Sequence, residues 1–282
     1  MKILLTGSGG LVGSALIPRL TVGGHGITRL SHSQPWPELA GHDAVVHLAG
    51  ENIATGRWTP EKKARIRDSR VQVTRRLCDT VARLASPPRV VICASAVGCY
   101  GNRGDELLRE ESAPGTGFLA EVCRDWEAAT KPAADAGIRV VNLRFGVILS
   151  AAGGALAKML TPFKLGVGGV IGDGRQWMSW VALDDAVGVI GDALANDALR
   201  GPVNVVAPQP VTNREFTTAL GRVLRRPTMF PAPAFALRLA LGEMADALLL
   251  SSQRVEPAKL VASGYRFRFP ELEGALRHLL KR

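Results

Sequence analysis

Met1 to Gly13 reads Met-Lys-Ile-Leu-Leu-Thr-Gly-Ser-Gly-Gly-Leu-Val-Gly, and no other stretch restricts the fold as tightly. Lys2 to Leu5 is an apolar run without polar alternation, the pattern of a parallel strand buried on both faces. Leu11 to Leu20 then reads as a helix, so the glycines occupy a strand–turn–helix. Gly7 permits a tight turn off the strand, Gly10 lets backbone N–H groups approach a pyrophosphate, and Gly13 lets the helix lie close on the sheet. Unpaired N–H groups and the positive dipole end of the helix point to the same place. This arrangement predicts a dinucleotide site at the very start of the chain.

The second strand, Gly26 to Leu30, selects the cofactor at its end. Sites for NAD carry Asp or Glu there for the ribose 2′-OH, whereas NADP sites avoid that charge and supply a cation. Here Arg29, Ser31, His32 and Ser33 follow one another with no acid before Glu38, which favours NADP(H). The plainer alternative is that Arg29 and His32 are merely exposed at a strand end.

Further on, Asp43 to Gly50 reads as a strand ending in small residues. Ligands of doubly wound sheets lie beyond the carboxyl ends of the strands, so Leu48, Ala49 and Gly50 are expected to border the cofactor. Pro60 to Ala85 is one long helix or two shorter ones, with Ile66, Val73, Leu77 and Val81 facing inward. Arg89 to Ala94 and Arg139 to Leu143 are further buried strands, separated by a helix over Leu119 to Ala136. Pro18, inside the first helix, is expected to kink it.

From Ser150 the chain turns glycine-rich. Asp184-Asp185 is then expected to cap a helix to Leu194, Pro202 to Val206 to add a strand, and Thr212 to Glu215 to form a capping box. The alternation predicts an α/β, Rossmann-type doubly wound parallel sheet with a smaller, mainly helical C-terminal substrate lobe. The nucleotide domain is expected over residues 1–150 and 184–206, and the smaller lobe over residues 151–183 and 207–282.

Composition narrows the classes. No apolar run is long enough for a membrane span, because Arg238, Glu243 and Asp246 interrupt the richest one. An N-terminal signal sequence is not expected, since its cleavage would delete the first strand. The four cysteines form no Cys-x-x-Cys pair and lack histidines at ligand spacing, so reduced thiols in a cytoplasmic protein are expected, with no metal. A net charge of +10 raises nucleic acid, but the arginines are scattered and aromatics reach only 5%. A solvated basic surface with phosphate contacts fits better, leaving a small-molecule substrate, no nucleic acid, no membrane, and a monomer or homodimer as the expectation.

With Leu48-Ala49-Gly50-Glu51-Asn52-Ile53, Arg57-Trp58, Asp68-Ser69-Arg70, Pro162 to Gly169 and Ser252 to Pro270 in view, the whole chain resembles a known family. It looks like the extended short-chain dehydrogenase/reductase superfamily, and more narrowly the "epimerase family" proteins that end in a domain of unknown function, some labelled cell-division inhibitors. The resemblance implies NADP(H) held by the glycine loop, by the pair Ser31-His32, by Leu48-Ala49 and by Arg70. The usual basic member of that pair is Arg; a neutral imidazole holds a 2′-phosphate less well. The full expected cofactor set is Gly7, Gly9, Gly10, Leu11, Val12, Gly13, Ser31, His32, Leu48, Ala49, Gly50, Arg70, Gly146 and Val147.

The superfamily's Tyr-x-x-x-Lys pair is missing. Leu119 and Cys123 stand in those places, and the only tyrosines are Tyr100 and Tyr265. The superfamily Ser falls on Ala96, with Ser95 one residue early. Ser95 and Tyr100 are therefore the catalytic candidates, each with a structural alternative: a satisfied strand end and a packed turn tyrosine. Glu51, Asn52, Arg175, Gln176 and Trp180 are the substrate-facing candidates. Two functions follow: an NADP(H)-dependent oxidoreductase or epimerase with atypical catalytic groups, or a non-catalytic NADPH-binding regulatory or sensor protein.

Overall fold

The computed structural model describes residues 1–30 and 39–282. In chain order the first half contains β1 (Lys2–Thr6), α1 (Leu11–Val22), β2 (Gly26–Leu30), β3 (Ala44–His47), α2 (Pro60–Ala82), β4 (Val90–Ala96), β5 (Leu107–Leu108), α3 (Phe118–Ala128), α4 (Lys131–Asp135) and β6 (Arg139–Phe145). The second half contains β7 (Val147–Leu149), α5 (Gly154–Lys164), β8 (Trp177–Met178), β9 (Trp180–Ala182), α6 (Leu183–Ala195), β10 (Gly201–Val205), β11 (Val211–Thr212) and α7 (Asn213–Leu224). It closes with α8 (Ala234–Leu241), α9 (Glu243–Ala245), β12 (Arg254–Val255), α10 (Ala258–Ala262) and α11 (Leu272–Leu280).

Six strands form one parallel sheet in the order β10-β6-β4-β3-β1-β2. The chain runs outward from β1 to β2, then crosses back to β3 and continues to the other edge, so the order reverses between β1 and β3. That reversal opens a crevice at the carboxyl ends of the two strands.

Alternation along β1 distributes its side chains between two cores. Ile3 and Leu5 join Leu16, Leu20, Ile190 and Val203 under α1 and α6. Leu4 faces the other way, among Val45, Leu77, Val81 and Val91 under α2. All are buried, each worth about 1.5–3 kcal/mol relative to exposure. A third core, with Leu156, Leu160, Phe163, Trp180, Phe216, Leu220 and Leu276, sits between α5, α7 and α11.

Local expectations meet three differences. The helix expected over Leu119 to Ala136 divides into α3 and α4, and α4 begins at Lys131 with Pro132 in its first turn. Pro18 lies on the exposed side of α1, which continues through it. Asp184 and Asp185 do not cap α6; the cap residue is Ala182. Asp185 is instead fully buried and accepts the backbone N–H groups of Arg268 at 2.8 Å and Phe269 at 3.0 Å. The capping box at Thr212 and Glu215 forms as expected. Among the described residues, no helix is long and apolar enough to cross a membrane.

Candidate functional site

The glycine loop sits at the sheet's reversal. Gly7 turns the chain with φ +69°, and a Cβ there would lie 2.6 Å from the carbonyl of Leu48. A Cβ on Gly13 would lie 2.3 Å from Gly7 O, so Gly13 lets α1 close on the loop itself. Gly10 caps α1 in an extended conformation and brings no side-chain acceptor to its first turn, which holds no acid. The first-turn N–H groups are thus left for an anion. A Cβ on Gly10 would meet only Gly7 O, at 3.3 Å, and one on Gly9 would meet nothing within 4 Å. The loop leaves room on the side where backbone donors are free, which fits a diphosphate.

A cleft of about 360 Å³ opens there, walled by Thr6 to Gly10, Leu30, His47 to Gly50 and Val73. Of the expected cofactor residues, this wall brings together Gly7, Gly9, Gly10, Leu48, Ala49 and Gly50. Leu11, Val12 and Gly13 form the start of α1 directly behind it. Ser31 and His32 lie outside the described residues.

Behind the wall runs a polar chain that the sequence did not announce. Thr6 Oγ1 accepts the N–H groups of Leu48 and Ala49 and lies 2.6 Å from His47 Nδ1. With both lone pairs taken, its one proton goes to Nδ1, so the imidazole carries its own proton on Nε2 and donates to Thr74 Oγ1 at 3.0 Å. Trp126 Nε1 donates to the same Thr74 oxygen at 2.9 Å. Complete burial depresses His47 to about 4, so the ring is neutral. β1, β3, α2 and α3 are tied together directly under the cleft.

On the α2 side, Arg70 comes up against Gly50: a Cβ there would lie 3.2 Å from the guanidinium carbon. That guanidinium stacks over the Trp126 ring with 5.1 Å to its centroid and donates to Ile66 O. Arg70 is thus a fixed cation at the cleft's edge, its pKa lowered first by burial. Glu51, next beyond Gly50, receives Lys62 Nζ at 2.5 Å, and this hydrogen bond above all holds its carboxyl below the usual range. Asn52 is exposed and its Oδ1 accepts the N–H of Ala54.

The remaining candidates have other work in the structure. Tyr100 is fully buried; its hydroxyl lies 2.8 Å from Asn204 Oδ1 and 2.9 Å from Arg109 O, and it accepts Arg144 Nη1 at 2.9 Å. Burial raises its pKa. Ser95 is buried and donates to Glu127 Oε1, the carboxylate that also takes a two-pronged contact from Arg144. Gln176 gives its amide to Ile171 O and Leu249 O, and Trp180 gives its indole N–H to Gln209 O from a fully buried position. Of the expected substrate-facing loop, Arg175 is exposed. Val147 donates its N–H to Ser179 O, and a Cβ on Gly146 would lie 2.4 Å from that oxygen, so this pair seats the start of β7 against the start of β9. At the place of the missing lysine, Cys123 is buried and its thiol is pushed up to about 12 by burial. It is a neutral core thiol. All four cysteines are free and buried, and the described residues hold no cluster suited to a metal ion.

Residues 3–207 match the model of the NAD dependent epimerase/dehydratase family, and residues 232–279 match that of a domain of unknown function, DUF1731. Epimerase family protein Mb2239 of Mycobacterium bovis is 43% identical, with 97% of this chain and 96% of that protein covered. Epimerase family protein YfhF of Bacillus subtilis is 38% identical over 99% and 98%. The crystal structure of human epimerase family protein SDR39U1 with NADPH superposes with a TM-score of 0.93 at 34% identity, covering 100% of both chains.

Proposed function

The chain belongs to the NAD dependent epimerase/dehydratase family, and on that footing we propose that it binds NADP(H) in the cleft at the β1–β3 reversal and acts as an oxidoreductase or epimerase on a small molecule. The observation that carries the reading is the side-chain-free cap of α1 at Gly10, facing a cleft walled by glycines. The human relative crystallised with NADPH supports the choice of cofactor.

In this reading the first-turn N–H groups of α1 hold the diphosphate, and Arg70 lays a positive charge beside Gly50 where the ribose side of the ligand passes. When bound, the nicotinamide supplies hydride chemistry. Glu51 and Asn52 just past β3, together with the exposed Arg175, are the proposed substrate contacts. Ser95 and Tyr100 act at one remove: their hydroxyls, bound to Glu127 and Arg144, fix the floor beneath the site rather than exchange protons with a ligand.

One observation favours a second reading, in which cofactor occupancy is sensed and not turned over. Leu119 and the neutral thiol of Cys123 stand where the superfamily places its Tyr and Lys, and neither can move a proton at neutral pH. Fluorescence titration with NADPH and NADH tests binding: NADPH is expected to bind more tightly, and Arg70→Ala to weaken it. Equal affinity for both cofactors removes the NADP assignment. Consumption of NADPH against a library of carbonyl compounds then separates the two readings, and complete inertness supports the sensor.

A further inference from the structure

We propose that the C-terminal lobe carries a docking surface for an anionic phospholipid bilayer. Leu165 and Val167, just past α5, and Met229, Phe230, Phe235 and Leu239, between α7 and the end of α8, are all exposed, from 53% for Val167 to 79% for Leu239. The two segments lie side by side. Arg226 Nε donates to Lys164 O at 3.0 Å, Ala232 pairs with Val170 and Ile171, and a Cβ on Gly169 would run into Phe230 O. α8, Ala-Phe-Ala-Leu-Arg-Leu-Ala-Leu, buries none of its residues. Met229 and Phe230 thus flank Leu165 and Val167, and α8 follows directly on in the chain, with its Leu239 carbonyl accepting from Arg57; apolar side chains exposed in this number mark an interaction site.

Charge identifies the occupant. Residues 152–172 and 216–242 contain no acid at all, while Lys164, Arg222, Arg225, Arg226 and Arg238 lie within them; Arg222 pairs with Glu273 and Arg238 with Asp246. Among the described residues, Lys164, Arg225 and Arg226 make no ion pair. Arg225 also lines a hollow of about 370 Å³ with Arg222, Arg277 and Arg282; Glu273 pairs with Arg222 and Arg277. An apolar face rimmed by unpaired cations matches a membrane interface, where the apolar groups enter the acyl boundary and the cations meet anionic headgroups. A protein partner would need a matching acidic apolar groove; a bilayer offers both features everywhere. The lack of a spanning helix does not bear on this, since such a protein lies on the surface.

Co-sedimentation of the whole protein with vesicles of phosphatidylcholine alone, and of phosphatidylcholine mixed with phosphatidylglycerol, tests the proposal. Binding is expected to the mixed vesicles only, and to fall as salt is added. Arg225→Gln with Arg226→Gln should weaken partitioning about thirtyfold, and Met229→Ser with Phe230→Ser should weaken it at least as much. Both variants should bind NADPH like the parent, which shows that they fold. No binding, equal binding to both vesicles, or anionic binding that survives both variants would each overturn the proposal. A concentration-dependent dimer abolished by the Met229 and Phe230 changes would overturn it too, by assigning the face to a second copy.

Discussion

Thr6 and His47 meet at 2.6 Å beneath the cleft at the glycine loop, and the imidazole in this contact is wholly enclosed. The ring is held neutral, with its pKa depressed from 6.5 to about 4. A depressed folded pKa contributes stability that is complete above 6.5 and is lost as pH falls towards 4. Between pH 7 and pH 5 the loss from this one residue is about 2 kcal/mol. Urea denaturation at the two pH values measures it. His47→Asn, which cannot titrate there, should be less stable at pH 7 and show a smaller drop; an unchanged drop would exclude His47 as the source.

Two glycines of the loop should fail in different ways. Gly13→Ala puts a Cβ 2.3 Å from Gly7 O and 2.9 Å from Ser8 Cα, so the loop or the helix must shift and thermal stability should fall. Gly10→Val meets only Gly7 O at 3.3 Å and should fold, yet its methyls enter the space assigned to the diphosphate. Circular dichroism and NADPH titration together separate the outcomes. A Gly10→Val protein with normal affinity would remove the diphosphate from this loop.

Glu127 and Arg144 form a nearly enclosed pair, 2.8 Å apart, with 8% of the Arg144 side chain and 15% of the Glu127 side chain exposed. Glu127→Ala leaves a buried guanidinium without its carboxylate, which typically costs about 3–5 kcal/mol. Tyr100→Phe removes a hydroxyl that accepts from Arg144 and lies against Asn204 Oδ1 and Arg109 O, and about 1–3 kcal/mol is expected. Both should show in the melting temperature. If Tyr100→Phe leaves stability untouched but alters NADPH consumption, the phenol belongs to the reaction instead.

Burial raises the thiols of Cys78 and Cys123 to about 12 and that of Cys93 well above the ordinary value. Iodoacetamide at pH 8 should label the folded protein far more slowly than the same protein in denaturant, because the thiolate is the reacting species. Rapid labelling of Cys123 in the native state would reopen it as a reactive group.

The glycine loop, the βα alternation and the small residues at the end of β3 were legible because each is a local pattern imposed by one element's geometry. Leu4 and Ile3 announced a strand buried on both faces before any partner was known. The polar chain from Thr6 to Trp126 was not legible, since a threonine and a histidine at strand ends look like ordinary termini until α2 and α3 are laid across them. Trp180 and Gln176 read as a ligand-facing loop because aromatic and polar residues follow glycines. In the fold β9 pairs with β7, with Trp180 opposite Val147 and buried, while Gln176 is held inward by Ile171 O and Leu249 O. Asp185 illustrates the same limit: it has the composition of a cap, but its donors are 83 and 84 residues away.

That carboxylate also has a bearing on how the chain matures on the ribosome. Leu260, Tyr265 and Phe267 pack into the core beneath α1 and α6, and among the described residues the Asp185 carboxylate is answered by the N–H groups of Arg268 and Phe269. The sheet strands and α6 are synthesised before these residues, so this flank of the core stays open, with a solvent-seeking acid beside it, until residues 260–269 leave the exit tunnel.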